Sequence, residues 1–146
     1  MKKAILLSIV LSLALLSCGP SKQAGSKGGN GRLLDDNTFL LTEVSDDETY
    51  GYTQENPVKV GGVKDSEGPK NERRFLNALA GPAGEKVTYF RKGSCCMFNT
   101  KNGLMGSGLL DKYEVSIEGQ EKPVIIYINM YDFGKMKAPK GFTIKK

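Results

Sequence analysis

Cys95 and Cys96 stand side by side in a chain that has only three cysteines. Two adjacent thiols point to thiol chemistry: a redox pair, or a soft-metal site completed by thioether sulfur from Met97 or Met105. The spacing argues against a shared metal ion, because neighbours in an extended strand face opposite sides. The blander expectation is two small core residues, since free cysteine packs as a small apolar side chain. Met97 and Phe98 are apolar neighbours, so both thiols are then expected to be free, screened from water and slow to react. Arg73, Arg74 and Arg91, with Lys92, form a second candidate group. If a helix start and the following strand are neighbours, these cations make a patch for a phosphate or an acidic polysaccharide group. A solvated helix face is the simpler outcome. The acidic run Asp46, Asp47, Glu48 lacks the spacing of a calcium loop and reads as an exposed turn. Gly103, Gly106 and Gly108 match neither phosphate-binding glycine fingerprint. There is no histidine. That removes the commonest general base and metal ligand, and every Ser-His, Cys-His or HExxH arrangement. No catalytic residue, metal or cofactor is assigned from these residues.

The third cysteine, Cys18, has a different context. Lys2 and Lys3 precede a 13-residue uncharged apolar run, residues 4–16. That run is shorter than the roughly 20 residues of a spanning helix. A positive start and a short apolar core are the pattern of an export signal. Leu15, Leu16, Ser17 and Cys18 then resemble the lipobox of bacterial lipoproteins, with Leu three positions before the cysteine and a small residue immediately before it. The resemblance implies cleavage before Cys18 and lipid on its thiol, with two or more acyl chains giving stable anchoring. Residues 1–17 are thus expected as signal peptide and 18–32 as lipidated Cys and flexible tether. The tether is rich in Gly and Ser, with a reach of about 20 Å. Removing the signal leaves 129 residues, with 19 basic and 16 acidic side chains. A net charge near +3 does not call for nucleic acid, which is recognised by a concentrated basic face. Residues 19–23 carry no acidic side chain. Many surface-exported lipoproteins have an acidic run there, so an outer-membrane, periplasm-facing location in the cell envelope is expected.

Residues 33–146 are expected to fold as one α+β domain. Alternation and β-branched or aromatic content mark strands at 38–44, 49–53, 58–63, 86–92 continuing to 100, 109–117 and 123–131. The last is the most apolar and the expected centre of the sheet. Asn102 and Gly103 signal the hairpin turn. The one helix is expected at 71–80, with Phe75 and Leu79, and Leu76 and Ala80, on one stripe, and with Glu72 in its first turn. Gly81 and Pro82 supply its stop. Residues 135–146 are basic and read as an edge or tail. The architecture expected is a mainly antiparallel sheet of about five or six strands with one helix packed on a face.

The stretches GYTQENPVKVGGV, GPKNERRFLNALAGPAGEKVTYFRKGSCC, LLDKYEVSIEG, PVIIYINMYDFG and APKGF resemble a family of small lipoproteins from Bacteroidetes, from about Tyr50 to Phe142. Members often carry the inherited name 2-dehydro-3-deoxyphosphooctonate aldolase. That name implies condensation of phosphoenolpyruvate with arabinose 5-phosphate. The enzyme with that chemistry resembles a (β/α)8 barrel of about 250 residues, which 129 residues do not build, and its substrates are cytosolic. The expectation is therefore a membrane-tethered, non-enzymatic binding or structural domain, with an envelope protein or polysaccharide as partner. Thiol chemistry at Cys95 and Cys96 is the alternative, and the aldolase a third.

Overall fold

A computed structural model describes residues 31–146. The segment expected as signal peptide, Cys18 and nearly all of the tether lie outside the described residues. The fold is α+β and dominated by strands. Its main sheet has the order β3-β7-β6-β5. β5 (Val87–Leu104) and β6 (Ser107–Ile117) form a long antiparallel hairpin, and β7 (Val124–Asn129) pairs antiparallel with β6. β3 (Val58–Lys59) joins the other side of β7 in parallel. Two small antiparallel pairs close the ends: β1 (Leu33–Asp35) with β2 (Thr38–Phe39), and β4 (Leu79–Ala80) with β8 (Thr143–Ile144).

The helix α1 spans Gly68–Asn77, with Pro69 in its first turn, where a missing N–H costs nothing. Gly68 lies so close to Met130 that a Cβ there would meet its sulfur at 2.9 Å. α1 buries Phe75 and Leu76 against the sheet face formed by Tyr113, Val115, Ile126 and Ile128. Alternation on β6 puts Asp111, Tyr113, Val115 and Ile117 on that face. Phe75, Ile126 and Ile128 are fully enclosed, each contributing about 1.5–3 kcal/mol of apolar burial.

Several expectations are corrected. The main sheet has four strands, and eight short and long strands are spread over three sheets, with one parallel pairing. Of 38–44 only Thr38–Phe39 is strand, and 49–53 is a turn. Asp47 nucleates that turn by accepting from the Thr49 N–H and hydroxyl, both at 2.8 Å. Local side-chain bonding of this kind competes with a ladder. The helix begins three residues earlier than expected and stops at Asn77, because Leu79–Ala80 pairs with β8 instead. Glu72 is consequently inside the helix and fully buried. The hairpin turns at Met105 and Gly106, both with positive φ (52° and 78°), rather than at Asn102 and Gly103. β7 is an inner strand, but β6 carries the more extensive pairing. The segment 135–146 is no loose tail: Ala138 and Phe142 are in the core.

Candidate functional site

The two adjacent cysteines are joined by a disulfide, Cys95–Cys96. Cys95 pairs with Leu110 and Met97 with Leu109, so Cys96 is the extra residue of a β-bulge. Its φ of 57° lies in the left-handed region. Both cysteines are half-buried and Met97 is 76% exposed. This overturns the expectation of two free, buried thiols. Regular alternation fails at the bulge, so neither side chain reaches the core.

The three arginines do not form one patch. Arg73 is exposed on α1. Arg74 is buried and donates through Nη1 to Glu67 (2.5 Å) and Asn71 (2.9 Å), and through Nε to the Asp36 carbonyl (2.9 Å). Arg91 on β5 donates to both oxygens of Asp111, at 2.7 and 2.8 Å. The bidentate pair is the strong geometry for these groups. Two of the three cations are thus neutralised within the protein.

Arg91 leads to a cluster that sequence reasoning missed. Asp111 is 2% exposed and also accepts from the Ser94 hydroxyl at 2.6 Å. Glu72 faces it from α1 with no exposure. Glu72 Oε2 accepts from the Tyr113 hydroxyl at 2.8 Å, while Oε1 meets no donor. Burial, then the neighbouring Asp111 charge, pushes the Glu72 carboxyl up to about 8. A second acidic side chain beside it makes the charged form of Glu72 costlier still, so the carboxyl favours its neutral form. Burial likewise raises the Tyr113 hydroxyl well above its usual range, so it stays a donor. The arrangement is a buried pair of acidic side chains, sealed from substrate-sized molecules. The legible signal was positional. Glu72 falls three and four residues before Phe75 and Leu76, and Asp111 two before Tyr113, each on an apolar face.

An open cleft lies just beyond the C-terminal end of β7, a few residues past Ile128, the register partner of Asp111. A cleft of about 230 Å³ is lined by Gly61, Gly62, Lys64, Asp65, Asn102, Tyr131 and Phe133. Its walls are pre-ordered. Asn129 Oδ1 accepts from the Tyr131 and Asp132 N–H groups at 2.8 and 3.0 Å. Asp132 in turn accepts from Thr100 (2.6 Å), Asn102 (2.9 Å) and Asn129 (3.1 Å). Burial opposes ionisation of Asp132, but these three donors outweigh it and hold the carboxyl below its usual range. Phe98 packs edge-on against Tyr131, with centroids 5.8 Å apart. On the opposite wall, Gly62 has φ 104°, and a Cβ there would collide with the Asn71 amide. That amide donates to the Gly61 carbonyl at 3.1 Å. The cleft thus presents two aromatic rings and the anchored Asn102 amide, with the exposed Lys64 and Asp65 side chains at its edge. Such a set suits stacking on and hydrogen bonding to a polar ligand. Among the described residues no cluster of three or more Cys or acidic side chains is disposed to hold a metal ion. No protein family, curated protein or solved structure matches the chain.

Proposed function

We propose that the chain is a lipid-tethered envelope protein, anchored through Cys18 and facing the periplasm from the outer membrane, whose folded part is a non-catalytic binding domain. The observation that carries the binding role is the contrast between two polar groups of residues. The acid pair Glu72 and Asp111 is shut away from solvent, whereas the cleft at Tyr131 and Phe133 is open and held in place by the Asp132 network. Pre-ordered walls lower the entropic cost of holding a ligand. An envelope polysaccharide or the side chains of an envelope protein fit this lining. The tether rests on residues 15–18 and on the Gly-rich stretch before the folded part. Among the described residues no helix is long and apolar enough to cross a membrane. Cys18→Ala should abolish acyl labelling and leave an unprocessed precursor, and normal maturation of that variant would defeat the lipoprotein reading.

A second reading, thiol redox at Cys95 and Cys96, is favoured by the disulfide that joins them in a half-buried bulge. The aldolase reading draws no support from the fold, since the described residues form one helix and short mixed sheets rather than a (β/α)8 barrel.

A further inference from the structure

We infer that the tip of the β5–β6 hairpin dips into the interfacial layer of an anionic bilayer, the same membrane to which Cys18 would tether the chain. The inference rests on the lipoprotein reading above. Four large apolar side chains crowd this end of the hairpin and face water. Met105 is 95% exposed, Leu104 84%, Met97 76% and Leu109 44%. They belong together structurally: Leu104 ends β5, Met105 makes the turn with Gly106, and Met97 stands directly opposite Leu109 in the register. Isolated exposed apolar residues are ordinary, but a contiguous group marks a contact surface.

The chemistry of the tip selects a lipid surface over a protein groove. From Cys95 to Leu110 the only charged residue is Lys101, which is exposed. The stretch itself carries one positive charge and no negative one, and the Asp132 carboxylate that meets it is capped by the Thr100 hydroxyl and the Asn102 amide. A lysine stem lies along apolar surface while its ammonium stays at headgroup level. The backbone is equally suited. Leu104 pairs with Ser107 and the Thr100 N–H donates to the Gly106 carbonyl at 3.0 Å, so the turn closes its own hydrogen bonds. Backbone groups that enter an apolar layer must be satisfied internally. The remaining residues of the tip, Gly103, Gly106, Ser107 and Gly108, are small. The chain outside the described residues supplies the geometry. On the lipoprotein reading, a Gly-rich tether of this length would reach about 20 Å and keep the domain close to the bilayer. A tethered domain needs only a shallow apolar contact to orient itself, because the anchor has already removed the cost of association. Docked in this way, the hairpin would place the neighbouring cleft, which shares Asn102 with β5, close to the membrane surface.

The chain contains no tryptophan, so one introduced residue gives an unmixed signal. The Met105→Trp protein, purified in its mature form and reconstituted into phosphatidylethanolamine–phosphatidylglycerol vesicles, should shift its emission to the blue. Vesicles with brominated acyl chains should quench it at least twofold more than they quench Phe90→Trp, placed on β5 far from the turn. Equal quenching at the two positions, or none, overturns the insertion. A blue shift without quenching also overturns it, and assigns the tip to a protein contact or a second copy. Intact mass reports acylation of Cys18 separately. If acyl groups are absent, the tether reading fails, while the same vesicles still decide insertion: quenching supports it and its absence sinks it.

Discussion

Glu72→Gln is the most telling perturbation, because it removes a proton from the protein without changing its shape. Glutamine keeps an oxygen for the Tyr113 hydroxyl and carries no charge to face the neighbouring Asp111. In the wild type the Glu72 carboxyl is raised from 4.5 to about 8 by burial and then by Asp111. The fold therefore favours the neutral acid. Its stabilising contribution is complete below pH 4.5, where the unfolded chain also holds the proton. It declines as the unfolded chain ionises, and is lost as pH rises through about 8. At ~1.4 kcal/mol per unit, a shift of this size is worth on the order of 4–5 kcal/mol across the window, of which about 3 is gone by pH 7. Glutamine does not titrate, so the variant should lack this decline. Urea unfolding followed by far-ultraviolet circular dichroism at pH 4.5, 6, 7, 8 and 9 measures it. Carboxyls such as Glu43, Asp47 and Asp132, whose values are lowered, lose stability as pH falls. They are common to both proteins and cancel in the difference. The variant should match the wild type near pH 4.5 and exceed it by a few kcal/mol above pH 8. A difference that stays flat across this range, or that favours the wild type at high pH, would refute a protonated Glu72.

Arg74→Ala should cost about 2–4 kcal/mol, since it strips donors from Glu67, Asn71 and the Asp36 carbonyl in a buried setting. Arg73→Ala, at an exposed position, should stay within about 0.5 kcal/mol. Equal urea midpoints for the two variants would contradict their assigned environments. The mature protein, isolated without reductant, should be about 2 Da lighter than after reduction and should bind thiol reagents only afterwards. Two thiols labelled in the untreated protein would remove the basis for the redox reading.

The sequence by itself determined the elements whose signals are local. One helix near residue 70 followed from the apolar stripe through Phe75 and Leu76, and the strands expected at 86–92, continuing to 100, and at 109–117 fall within β5 and β6. The absence of histidine narrowed the chemistry before any fold was known. Boundaries were less legible where two local preferences competed, as at 49–53, which reads as strand but is drawn into a turn by the Asp47 side chain bonded to Thr49. What the tertiary structure alone decided depends on residues far apart in the chain. Val58 joins Ile128 in parallel, a pairing that no turn residue announces. Gly61, Asn102 and Tyr131 meet in one cleft only because β3, β5 and the exit from β7 end on the same side. Glu72 was expected only as a first-turn acid, and Asp111 was assigned no role. Packing α1 across β6 excludes water from both, and that exclusion, rather than residue type, makes one of them hold its proton. The cysteines show the same limit at shorter range. Adjacency was visible, but whether a strand runs straight through them or bulges is set by register with Leu109 and Leu110 on the neighbouring strand.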